Sequence, residues 1–116
     1  MPTKPEYPLD PEELKRRLGV MHASYRAKVP GKIAEIEALW SRTKVSPATH
    51  PSRNALLLAV HTLVGSSPTL GCKALGAAAR ELELALRKPF AHGDAISGAE
   101  IAAIDFLVAG LGRSIG

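Results

Sequence analysis

With 116 residues, 46% of them hydrophobic, the chain is one ordinary domain, long enough to bury about two thirds of its unfolded surface. Aromatic residues make up only 4%, so the core must be built from Leu, Ile, Val and Ala, which favours packed helices. The net charge of +4 is dispersed, with no dense basic run and no zinc or RNA-binding signature, which argues against nucleic acid as a partner. One cysteine, Cys72, excludes an intrachain disulfide framework and fits a reducing compartment. No apolar run approaches the ~20 residues that span a bilayer, and the N-terminus lacks a signal-peptide core, so a cytoplasmic protein with no membrane partner is expected.

Residues 1–9, with Pro2, Pro5 and Pro8, read as an irregular leader, and residues 10–116 as one helical domain. Asp10-Pro11-Glu12-Glu13 is a helix start: an acid at the N-cap, proline at the first helical position, glutamate at the third. Leu14, Leu18, Met21, Tyr25 and Val29 follow at helical spacing and predict a buried stripe. Val29-Pro30-Gly31 is expected to break or kink this segment, since proline removes a backbone donor and crowds the preceding turn. Ile33, Ile36 and Trp40 carry the stripe on to about Ser41, and Thr43–Ser52, with Pro47 and Pro51, reads as a loop. A further helix starts near Ser52 with Leu56, Ala59, Val60 and Leu63 inward, and Pro68 bends or ends it. The next presents Leu75, Ala79, Leu82 and Leu86, before a loop over Lys88–Gly93. Ser97-Gly98-Ala99-Glu100 is a capping box for a last helix with Ile101, Ile104, Val108, Leu111 and Ile115 on one face. The pattern is all-α: an antiparallel four-helix bundle, up-down-up-down, with an additional N-terminal helical segment.

One histidine is out of place in this pattern. The inward stripe Leu56, Val60, Leu63 and Ser67 turns His61 outward, and Gly65 one turn later leaves bare backbone beside its ring. Glycine inside a helix costs roughly 1 kcal/mol relative to alanine, which calls for a reason beyond folding. Leu57, Leu58 and Val64 surround the imidazole and form an apolar patch, the usual mark of a protein-docking surface. The following helix returns antiparallel. With the hairpin centred near Cys72, residues at equal height have numbers summing to about 144, which sets Glu83 level with His61 and Arg87 one turn further. A carboxylate there fixes the ring tautomer and frees the other nitrogen for attack.

The run His61-Thr62-Leu63-Val64-Gly65-Ser66-Ser67-Pro68-Thr69-Leu70-Gly71 resembles the phospho-acceptor signature of histidine-containing phosphotransfer (HPt) domains, roughly His-x-Leu-Lys-Gly-Ser-Ser/Ala-x-x-Leu-Gly. Specific motifs cover about residues 52–87, and Val64 stands where the family usually has lysine. The resemblance implies that His61 takes a phosphoryl group from an aspartyl phosphate on a receiver domain and passes it to another response regulator. It implies that Glu83 orients the ring; Arg87, one turn on along the same face, is placed to supply the positive charge that Val64 does not. The domain is then a phosphocarrier rather than an enzyme in its own right. It binds no cofactor of its own, magnesium being expected on the receiver, and is expected to be a monomer. Its partners are receiver domains of response regulators or a hybrid histidine kinase.

Other chemistries fit poorly. His22, His50 and His92 lie in separate segments without metal-ligand spacing, so no metal site is expected. Gly65–Lys73 lacks the preceding strand and the Ser or Thr of a phosphate-binding loop, and no elbow motif presents a serine nucleophile. Ser66 and Ser67 read as small residues at a bend, and Gly65 also admits a reading as a helix-packing notch. A second function stays open given Val64: a non-catalytic module that binds receivers (a pseudo-HPt domain) or dimerises.

Overall fold

The computed structural model describes residues 10–115. Four helices make up the fold: α1 (Pro11–Thr43), α2 (Ser52–Ser66), α3 (Lys73–Ala91) and α4 (Gly98–Arg113). Each packs on its neighbour in sequence, and α4 returns to α1 to close the ring, which is the expected up-down-up-down bundle. Among the described residues there is no strand. The leader assigned to residues 1–9 lies outside the described residues.

The core is aliphatic, as the composition requires. Val29, Ile33 and Ile36 of α1 meet Leu56, Val60 and Leu63 of α2, Leu75, Ala79, Leu82 and Leu86 of α3, and Ile104, Val108 and Leu111 of α4. Each large aliphatic side chain so buried contributes about 1.5–3 kcal/mol. Tyr25 and Trp40 are buried with their polar atoms satisfied. The Tyr25 hydroxyl lies 2.7 Å and 2.8 Å from the Ser66 and Ser67 hydroxyls, and Trp40 Nε1 donates to Asp105 at 2.6 Å. The capping box of α4 is present in both directions, Glu100 N–H to the Ser97 hydroxyl and Ser97 N–H to the Glu100 carboxylate.

Four expectations need correction. First, Pro30 does not break the chain into two helices, and the additional N-terminal segment is the first half of a single 33-residue α1. Pro30 faces solvent, while Tyr25, Val29, Ile33 and Ile36 lie on the opposite, buried side. The packing of that face offsets the ~3 kcal/mol that proline costs a helix. Second, Leu14, Leu18 and Met21 are exposed and lie outside the core cluster of the described residues, because α1 projects past the α2–α3 turn. At that turn the His22 ring lies against Gly71, a left-handed residue at φ 88.

Third, α3 does not stop before Lys88 but runs through Pro89 to Ala91. The buried Arg53 stacks 4.9 Å from the Phe90 ring centre and donates to the carbonyls of Pro89 (3.4 Å) and Asp94 (2.6 Å), clamping the end of the helix. Fourth, Asp10 makes no side-chain cap. Glu13 turns forward to Arg16 and Arg17 instead, and these bonds hold its carboxyl at about 2.

Candidate functional site

The α2–α3 hairpin sets the site. Two contacts fix its register: His61 meets Glu83, and Pro68 meets Gly76, where an added Cβ would lie 2.6 Å from the Pro68 ring. Both pairs obey the height rule expected from a turn centred near Cys72. Gly76, rather than Gly65, is therefore the packing notch of this hairpin. A Cβ on Gly65 would have nothing within 4 Å, so that glycine serves no internal contact.

His61 and Glu83 are joined across opposite environments. The His61 side chain is 64% exposed and that of Glu83 only 8%. Nδ1 of the ring lies 2.5 Å from Glu83 Oε2. A carboxylate only accepts, so Nδ1 carries the proton and Nε2, on the far edge of the ring, keeps its lone pair. Burying a carboxylate is costly unless it is partnered. Here the ring N–H and the Arg87 guanidinium, 3.6 Å from the same oxygen, are the partners. Arg87 is itself exposed and sits one turn along α3 from Glu83.

Asn54, Leu57, Leu58, His61, Glu83 and Arg87 line one open depression. Leu58 is 67% exposed. Leu57 and Val64 are half-buried and lean on the core, so the patch around His61 is less exposed than the helical spacing alone implies. Their partial cover comes from packing against the shared core, which helix periodicity within α2 does not reveal. Asn54 was not singled out in the sequence, although two helical turns separate it from His61 on the same face. Ser66 and Ser67 have a structural part, anchoring Tyr25 of α1 at the base of the hairpin. Among the described residues, no three His, Cys, Asp or Glu side chains cluster as a metal site would require, and no helix is long and apolar enough to cross a membrane.

This arrangement equips α2 with an accessible imidazole, oriented at Nδ1 and open at Nε2, in a shallow depression on the bundle surface. Comparison with known proteins agrees with that geometry. The family model described as Hpt domain matches residues 20–112, from within α1 to the last turn of α4. No curated protein and no solved structure matches the chain. Four helices of this order around an exposed histidine, and a family match over most of the length, lead to one conclusion: the chain belongs to the histidine-containing phosphotransfer (Hpt) domain family, the phosphocarrier modules of phosphorelays.

Proposed function

We propose that His61 accepts a phosphoryl group from an aspartyl phosphate on a receiver domain and passes it to the receiver of another response regulator. The observation that carries this reading is the pairing of an exposed ring with a buried carboxylate at Nδ1. Nε2 attacks phosphorus, the bond between phosphorus and the aspartyl oxygen breaks, and the receiver's carboxylate leaves with the electron pair. The ring becomes an N-phosphorylated imidazolium, and the carboxylate of Glu83 balances its charge through Nδ1–H. The reverse sequence on a second receiver returns the ring to its starting state.

Glu83 holds the tautomer and the ring plane, so no rotation or proton shift precedes attack. Arg87 draws charge from the Glu83 side, Gly65 keeps the approach open, and Leu57, Leu58 and Val64 meet the receiver's apolar surface. Magnesium on the receiver supplies neutralisation of the transferring group, and this chain needs no cofactor. The domain acts as a monomeric carrier in the cytoplasm, with receiver domains of response regulators or of a hybrid histidine kinase as partners.

Incubation with acetyl-phosphate-loaded receiver domains should transfer an acid-labile, base-stable label to the chain. His61→Gln should abolish it with helicity unchanged. A label that persists in that variant would move the acceptor elsewhere. Stable receiver binding with no label on the unaltered chain would favour the second reading, a receiver-binding module, for which the apolar Val64 beside the ring is the supporting observation.

A further inference from the structure

We propose that Arg80 of α3 is the group that holds the phosphoryl oxygens once His61 is phosphorylated, a reading that rests on His61 as the acceptor. A phosphoryl group on Nε2 carries up to two negative charges and needs a cation or donors at its rim. Within α2 the face toward the hairpin turn offers none: Val64 is apolar and Gly65 has no side chain.

The hairpin register brings one in from the neighbouring helix. His61 opposite Glu83 and Pro68 opposite Gly76 set Arg80 at the height of Val64 and Gly65. Arg80 precedes Glu83 by three residues, so its Cα lies about 4.5 Å nearer the turn and about 60° around the helix. The rotation is toward the rim that also carries Arg87, since the other side of Glu83 holds the buried Ala79, Leu82 and Leu86. A guanidinium on a flexible stem at that rim neighbours the space over Gly65, where nothing outside its chain neighbours and its own helix backbone lies within 4 Å of an added Cβ.

The other nearby cations are engaged. Arg87 lies 3.6 Å from the Glu83 carboxylate and sits on the opposite side of it from the turn. Lys32, on α1, lies over the Tyr25 ring at 5.9 Å. Arg80 is exposed and takes part in none of the ion pairs among the described residues. Its charge is therefore available, and its substitution removes no ion pair of the described residues.

Phosphoramidate tests this without any receiver. Nε2 of His61 attacks its phosphorus, the P–N bond breaks, and ammonia leaves with the bonding pair. The readouts are the rate of His61 phosphorylation and the phosphorus-NMR titration of the phosphoryl group. Arg80→Gln should slow phosphorylation about tenfold and raise the titration midpoint by about one pH unit, since it removes one charge-assisted contact. Arg80→Lys should recover most of both. Arg80→Gln matching the unaltered protein in rate and midpoint would overturn the proposal. Labelling of His61 by phosphoramidate but by no receiver would sink the relay reading while the Arg80 comparison still decides this one. If neither reagent labels His61, both fall.

Discussion

At the scale of single residues, the site separates demands of folding from demands of chemistry. Gly65 is the clearest case. It sits inside α2 with ordinary helical backbone, and open space surrounds the position of a Cβ. Gly65→Ala should therefore raise stability, by up to ~1 kcal/mol through helix propensity, as a higher midpoint in thermal unfolding. The same methyl beside the ring should slow phosphotransfer to His61. A variant that is both less stable and equally active would refute this division. Glu83 belongs to the opposite category, a buried anion whose only evident purpose is the ring and the guanidinium it holds. Sequence spacing indicated His61, Glu83 and Arg87 as neighbours because a short antiparallel hairpin converts numbering into height. The partial burial of Leu57 and Val64 escaped that arithmetic, because it depends on how the side chains of the shared core pack against them.

At the scale of elements, the α2–α3 hairpin is the unit that matters, and Gly76 is its tightest point. A Cβ there would lie 2.6 Å from Cγ and 2.8 Å from Cδ of Pro68, a rigid ring with little room to move. Gly76→Ala should destabilise the domain by about 1–3 kcal/mol, the usual cost of overpacking, read as a lower denaturation midpoint. It should also reduce phosphotransfer more than an equally destabilising change in α4, because it displaces Glu83 relative to His61. Unchanged stability in Gly76→Ala would show that the hairpin is more compliant than this geometry implies. Local rules misjudged the ends of α1 and α3. Pro30 and Pro89 both lie within helices, because a proline ring on a helix interrupts one backbone bond while the apolar face it flanks stays buried. Arg53 adds a tertiary clamp at Pro89 that no local pattern foretells.

At the scale of the whole molecule, α4 closes the ring of helices, and polar contacts tie it to α1. Asp105 accepts from Trp40 Nε1 at 2.6 Å and from Lys44 at 3.1 Å, and these bonds, the Trp40 one foremost, lower its carboxyl below the ordinary range. A depressed native value means that the contribution is complete above the unfolded carboxyl's range and is lost as pH falls through the native one. Acid should therefore loosen the α1–α4 contact, with Trp40 fluorescence reporting it. Asp105→Asn should remove this part of the acid dependence; an unchanged acid limb in that variant would show that other carboxylates govern it. Because Asp105 is largely exposed, the effect is small, within the ~1 kcal/mol of a screened surface pair.

The amino-acid order alone determined the all-helical class, the number of bundle helices, the α4 capping box, the inward stripes of α2, α3 and α4 and the outward set of His61. Each of these follows from periodicity, composition or a motif a few residues long. Only the folded bundle decided where α1 runs past its support, how prolines are absorbed, which glycine is packed and which is open, and how far Leu57 and Val64 are covered. Those outcomes depend on what stands opposite a residue, and that partner comes from another helix, brought to the right height by burial of the shared aliphatic core.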